Sequence, residues 1–207
     1  MQRTTRIKTE HVCALLAALL LGACSSTDPI RYYMLSADTV PDTNAVSSLV
    51  LGVGPVTIPE YLDRSELVFQ SAPNRFEIPS QHRWAGSLRE DVQRVFGTNL
   101  AHQLGTTDVH YHPWDRRLQC NVTVSLSIVR FHSVTGEDAI LEANWQIDRK
   151  SDKSEKSDAV STESTLQGHL LKTAPLDGDG YEAVLAAQSR LLADAAEDLA
   201  GKVRSMK

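Results

Sequence analysis

Gln119–Phe131 reads QCNVTVSLSIVRF. Cys120, Val122, Val124, Leu126 and Ile128 alternate with Asn121, Thr123, Ser125 and Ser127. Successive side chains on a strand point to opposite faces, so this alternation predicts a strand with one buried and one wet face. Ala139–Asp148 (AILEANWQID) repeats it, with Leu141, Ala143, Trp145 and Ile147 on the apolar side and Glu142, Asn144 and Gln146 on the other. Gly136 lies between the two and marks a turn. Beyond the charged connection Arg149–Asp158 (RKSDKSEKSD), Ala159–Leu171 predicts a third long strand. Strands that follow one another in this way predict an antiparallel meander.

Upstream, Leu49–Ile58 (LVLGVGPVTI) is apolar on both faces, which predicts an interior strand. Gly52 and Gly54 inside it predict a bulge or a close backbone approach. Arg31–Ser36 predicts a first strand, Ala37–Ser48 a loop, and Pro59–Arg64 (PEYLDR) a turn. Glu66–Gln70 and Arg75–Ile78 predict a short hairpin, and Asp108–His112 a short strand. Ser87–Leu104 carries Leu88, Val92, Val95, Phe96, Leu100 and Leu104 at helical spacing. Ser87 and Glu90 form a capping box, Gly105 a stop, and Gly97 marks a close approach of helix to sheet. Asp177–Gly180 (DGDG) leads into a second amphipathic helix, about residues 181–204, with Asp179 and Glu182 as its capping pair. Together these predict an α+β fold: a two-layer sandwich of a largely antiparallel sheet with two amphipathic helices on one face.

The N-terminus is of a different kind. Arg3, Arg6 and Lys8 precede an apolar run from Val12 to Leu21, which ends in Leu21-Gly22-Ala23-Cys24. Basic residues, an apolar core and small residues at the cut make an export signal. The run is about ten to twelve residues, against the roughly 20 a spanning helix needs. Leu21–Cys24 resembles the bacterial lipoprotein signal, in which the cysteine thiol is acylated and the leader removed before it. The expected division is therefore a signal peptide at 1–23, an acylated tether at 24–30 with Cys24 as the lipidation site, and a single domain at 31–207. Single acyl chains hold a protein only marginally, whereas several hold it durably. Ser25 after the cysteine is the type of residue that, in this class of lipoprotein, permits sorting to the periplasmic face of the outer membrane.

Hydrophobic residues make up 42% and charged residues 23% of the 207, as in ordinary globular proteins. Of the formal charge of −5, residues 1–23 contribute +2 and the rest −7, which argues against nucleic acid as a partner. Cys13 leaves with the leader and Cys24 is modified, so Cys120 has no disulfide partner and reads as a buried, inert thiol. His110 and His112 share a strand face but lack a third metal ligand at a recognisable spacing. Asp177 and Asp179 lack the further oxygens of a calcium loop. Gly52-Val53-Gly54-Pro55 lacks the Lys of a phosphate loop, and no Gly-x-Ser-x-Gly elbow occurs. No cofactor, metal or catalytic site is expected. Tyr61, Arg64, Arg83 and Trp84 are aromatic and Arg residues in loops, a type enriched at binding hot spots, and are the candidate partner-binding residues. Tyr61 and Trp84 have an equal claim to be core rings under a long loop.

Three stretches in order carry a resemblance: Tyr32-Tyr33-x-Leu35 after the lipoprotein signal, Gly52–Gln70 (GVGPVTIPEYLDRSELVFQ), and Arg83–Leu104 (RWAGSLREDVQRVFGTNLAHQL). They resemble the PqiC-type (YmbA-like) lipoproteins of the ABC-type transport auxiliary component family. The resemblance implies a helper and not an enzyme. It implies work with an MCE-domain membrane protein of the PqiB type and its inner-membrane component, docking a periplasm-spanning lipid transport assembly at the outer membrane. It leaves room for a homo-oligomer. Two alternatives are a lipid-carrying periplasmic protein, which needs a large apolar cavity, and a regulator of a cell-wall enzyme.

Overall fold

The computed structural model describes residues 28–38, 47–115, 117–134, 138–150 and 163–206. The expected signal peptide, Cys24 and most of the tether lie outside the described residues, as do most of the loop after Ser36, the turn at Gly136 and the charged connection from 151 onward. In chain order the elements are β1 (Arg31–Tyr33), β2 (Leu51–Thr57), β3 (Phe69–Ala72), β4 (Arg75–Glu77), β5 (His82–Trp84), α1 (Leu88–Leu104), β6 (Val109–Tyr111), β7 (Val122–Ser133), β8 (Ala139–Lys150), β9 (Glu163–Ala174) and α2 (Tyr181–Ser205).

The alternating stretches become β7 and β8, antiparallel in register: Val124 faces Ile147, Leu126 faces Trp145 and Ile128 faces Ala143. All six are at most 7% exposed, whereas Ser127, Asn144 and Gln146 stay exposed or partly so. A shift between Ile128 and Arg130 resets the alternation, so that Phe131 again points inward against Leu141. β9 completes the meander, pairing with β8 from Ala139–Ala174 to Lys150–Glu163. It ends later than the expected 171, at Ala174 before Pro175, which has no amide to give to the ladder, while residues 159–162 of the expected strand lie outside the described residues.

β2 lies inside the sheet, whose order is β6-β2-β7-β8-β9. It is parallel to both neighbours, so the antiparallel meander continues into a parallel edge. The register shifts between Val53 and Val56, and Gly54 there has φ 117. Gln93 of α1 donates from Nε2 to the carbonyls of Val53 (2.8 Å) and His112 (3.0 Å), satisfying groups next to the irregularity. A methyl group at Gly52 would sit 2.9 Å from the Cys120 sulfur. Both the bulge and the close approach expected of these glycines are present.

α1 and α2 lie side by side on one sheet face, α1 over β2 and β6, α2 over β7, β8 and β9. Val92, Val95, Phe96 and Leu100 of α1 are fully buried, and so are Leu191, Leu192, Ala195, Ala196 and Leu199 of α2. This is the expected α+β two-layer arrangement. The Ser87 hydroxyl accepts from the Glu90 amide at 3.5 Å, and Gly105 closes α1 at φ 65. The Tyr111 ring of β6 explains Gly97, where a β-carbon would lie 2.5 Å from the ring. α2 differs from expectation. Its N-cap is Gly180, at φ 94, with no side-chain cap bond, so Asp179 and Glu182 do not act as a capping pair. Gly180, at positive φ, takes the N-cap position and leaves Asp179 one residue before it. The other end of α2 is held by Arg149 of β8, whose Nη1 donates to the carbonyls of Val203 (3.0 Å) and Met206 (2.7 Å).

β1 is shorter than the expected 31–36. It pairs in parallel with β5, a strand not expected from sequence, and ends where Leu35 turns into the core. There the Leu35 amide donates to Asp91 Oδ2 (2.6 Å) and its carbonyl accepts from Arg94 Nη2 (2.8 Å), so α1 takes the bonds a longer strand would have used. Arg31–Lys207 forms one compact unit. Among the described residues no helix is long and apolar enough to cross a membrane.

Candidate functional site

The segment from Pro59 to Trp84 carries Tyr61, Arg64, Arg83 and Trp84, the four residues singled out in the sequence. After Pro59 a 3-10 turn, Glu60–Leu62, drops Leu62 into the core and leaves Tyr61 half-buried. The Tyr61 ring stacks on Phe76 at 4.9 Å between centroids, and its hydroxyl lies 3.1 Å from His132 Nδ1. His132 Nε2 lies 3.0 Å from Gln70 Oε1. A neutral imidazole protonated on Nε2 satisfies both contacts, accepting from Tyr61 and donating to Gln70. Burial, aided by Arg130, pushes the His132 pKa below its usual value, and burial pushes the Tyr61 hydroxyl up.

Arg64 and Arg83 converge on one carboxylate. Arg64 Nε and Arg83 Nη2 each lie 3.9 Å from an oxygen of Glu66. Their side chains are 39% and 36% exposed, so two guanidinium groups over one carboxylate leave an accessible positive charge. The Glu66 carboxyl is held below its usual pKa first by its own amide and the Ser65 hydroxyl, then by Arg83 and Arg64. Trp84 is 7% exposed and belongs to the core, so of the four candidates it supports the surface from beneath. The structure thus brings Arg64 and Arg83 together, sets Tyr61 in an aromatic cluster of its own, and takes Trp84 inside.

The motif Tyr33-x-Leu35 is likewise a packing device. Tyr33 stacks on His82 at 5.6 Å and donates or accepts at His82 Nδ1 over 2.8 Å, and His82 stacks on Tyr181 at 3.7 Å. Phe69 meets Tyr181 edge-on at 5.1 Å, completing a column of rings from β1 to the first residue of α2. Burial, then Glu182, raises the Tyr33 pKa.

Beside this column opens a cleft of about 780 Å³ between the β3–β4 hairpin and the start of α2. Its wall includes Phe69, Ile78, Val134, Leu176, Tyr181 and Val184, and its edge carries Glu77, Asp138 and Asp179. Sequence reasoning missed it, because these residues come from five separate stretches that only the fold assembles. Phe76, Gln70 and His132 were missed for the same reason.

The other residues weighed from sequence have local roles. His110 bonds Asp108 at 2.7 Å, and His112 meets Trp114 edge-on at 5.4 Å. Asp177 pairs with Arg190 at 2.6 Å. Cys120 is buried, and burial raises its thiol pKa, as an inert thiol requires. Among the described residues no group of three or more His, Cys, Asp and Glu is placed to hold a metal. What the surface offers is apolar, aromatic and charged contact, the chemistry of binding.

Such a surface on an α+β domain agrees with what comparison with known proteins finds. Residues 33–200 match the family described as ABC-type transport auxiliary lipoprotein component, and the chain belongs to that family. It is a family of transport auxiliary lipoproteins, not of enzymes. The intermembrane transport lipoprotein PqiC of Escherichia coli (strain K12) is 25% identical over 138 residues, 65% of this chain and 72% of that protein. PqiC of Shigella flexneri matches over the same length at the same identity. Two crystal structures share the fold. One, of an uncharacterized protein, has a TM-score of 0.60 at 18% identity and covers 85% of this chain and 99% of that one. The other, of protein XCC0632 from Xanthomonas campestris, has a TM-score of 0.59 at 15% identity, covering 84% and 94%.

Proposed function

We propose that this protein is an outer-membrane lipoprotein, acylated at Cys24, that docks a periplasm-spanning MCE-type lipid transport assembly and so supports intermembrane lipid traffic and envelope integrity. The observation that carries the reading is the match of residues 33–200 to a family of transport auxiliary lipoproteins. The Leu21–Cys24 signal supports the anchor, and Ser25 the outer-membrane address. The partner is an MCE-domain membrane protein of the PqiB type together with its inner-membrane component. The mature domain works as a non-catalytic adaptor at 31–207, with Tyr61, Arg64 and Arg83 on the gripping face and Trp84 holding that face in shape. A tethered domain meets its partner at high effective concentration, so a modest interface suffices.

In-cell crosslinking of the full-length protein, followed by identification of what is captured, tests this. Recovery of an MCE-domain protein is the expected result. Recovery of a cell-wall synthase with no MCE-domain protein would replace the reading with that of an enzyme regulator. The anchor has its own test: Cys24→Ala leaves a folded domain that fractionates with soluble periplasmic protein, and a variant still found with the outer membrane removes the lipidation site.

A further inference from the structure

From the chemistry of the cleft between the β3–β4 hairpin and α2, we infer that it receives a polypeptide segment of a partner protein carrying a large apolar side chain next to lysine or arginine. This rests on the docking reading and names the segment that a docking partner presents.

Three observations lead there. The wall is apolar and aromatic: Phe69, Val134, Leu176, Tyr181 and Val184, with Ile78 at the mouth and 45% exposed. At about 780 Å³ the space accepts two or three large side chains and falls in the range of small-ligand pockets. Ile78 and Phe76, the latter 39% exposed, carry the apolar surface from the cleft out along the hairpin.

The edge then selects the charge. Glu77, Asp138 and Asp179 are all exposed, and none is in an ion pair with another described residue. No lysine, arginine or histidine stands among the described residues that line the cleft. A cationic group at the edge finds open carboxylates along the rim and no competing cation among the described lining residues, and complementary potentials of this kind set partner choice and encounter rate. The same edge disfavours an anionic phospholipid. Its headgroup phosphate would be repelled by the carboxylates and would find no guanidinium or ammonium among the described lining residues to pair with. The aromatic column fixes the wall: Tyr181 is held between His82 at 3.7 Å and Phe69 at 5.1 Å, so a ligand meets a surface that is already ordered.

The test uses the full-length acylated protein in its native host. The photo-crosslinker p-benzoylphenylalanine is placed at Ile78, and as a control at Leu166 on β9, and the crosslinked peptides are identified by mass spectrometry. The expected Ile78 product contains a segment of another protein with lysine or arginine within four residues of the attachment point, and Leu166 does not yield it. Reversing the edge with Glu77→Lys, Asp138→Lys and Asp179→Lys together leaves circular dichroism unchanged and lowers that product roughly tenfold, the size three exposed charge pairs supply. Attachment to phospholipid, to a second copy of this chain or to a segment without basic residues overturns the inference. So do an absent Ile78 product and a yield indifferent to the charge reversal. Co-purification separates this from the docking reading. If the charge-reversed protein still brings down the MCE-domain protein in full, docking stands and the cleft falls. If the wild type brings none down while Ile78 captures a basic, apolar segment, docking falls and the cleft stands.

Discussion

Gly168 stands opposite Trp145 in the β8–β9 ladder, and a β-carbon there would lie 2.5 Å from the indole ring. The ring is 7% exposed and has Lys202 Nζ 5.2 Å from its centroid, so it has little room to swing away. Gly168→Ala is therefore expected to destabilise the domain by about 1–3 kcal/mol, the usual cost of overpacking, although alanine is the better strand residue. Urea unfolding of the two proteins measures it; an equal or higher midpoint for the variant would show that the ring yields freely. His132 makes a second prediction at this scale. Its pKa in the folded protein is depressed, chiefly by burial, so below its ordinary value of 6.5 the unfolded chain takes up a proton that the folded one refuses. Stability from this group is complete above that pH and declines as pH falls toward the folded pKa. Between pH 7.5 and 5.5 the wild type should lose more stability than His132→Gln, which cannot titrate; equal losses would mean that the ring protonates in place. Single residues were also where sequence was most legible. Ser87, Gly105, Gly54 and Gly97 each answer to a local steric or hydrogen-bonding need that their residue type declares. Asp179 misled because a capping pattern does not reveal the positive-φ backbone at Gly180 beside it, which takes the N-cap position.

Among the elements, α2 depends on a partner outside itself. Arg149 reaches from β8 to the carbonyls of Val203 and Met206, adding a charged donor at the helix C-terminus. Arg149→Met keeps most of the stem packing and removes both bonds. A loss of about 1–3 kcal/mol is expected, with faster amide exchange confined to the last turn of α2. Exchange that rises evenly through the helix would instead implicate the core. The long periodic elements, α1, β7, β8 and α2, were readable because each repeats its pattern over several turns or pairs. β5 was not, since His82–Trp84 becomes a strand only by pairing with β1 about fifty residues earlier. The parallel setting of β2 was hidden for a related reason: an apolar run shows that a strand is interior, not which neighbours it will meet.

At the scale of the molecule, the recognisable motifs and the exposed surface are largely different sets of residues. Tyr33, Leu35 and Trp84 serve the interior, and Gly52 and Gly54 serve the close packing of β2. Arg64 and Arg83 remain outside, around Glu66. Arg64→Ala should thus leave the thermal midpoint within about 1–2 °C, as expected of an exposed ion pair, and reduce recovery of the proposed MCE-domain partner. Unchanged recovery with unchanged stability would remove Arg64 from the interface. The cleft was beyond the reach of sequence altogether, because its apolar wall and acidic edge come from segments distant in the chain.

The placing of β2 between β6 and β7 also governs when the molecule can form. The Val50 amide bonds the Asn121 side chain, 71 residues onward, and Leu51 is registered against Val122. The centre of the sheet therefore has to wait for chain that emerges much later, and closing so wide a loop makes for slow folding. A polypeptide built this way holds its central strand without either sheet neighbour until both later segments, β6 and β7, are present.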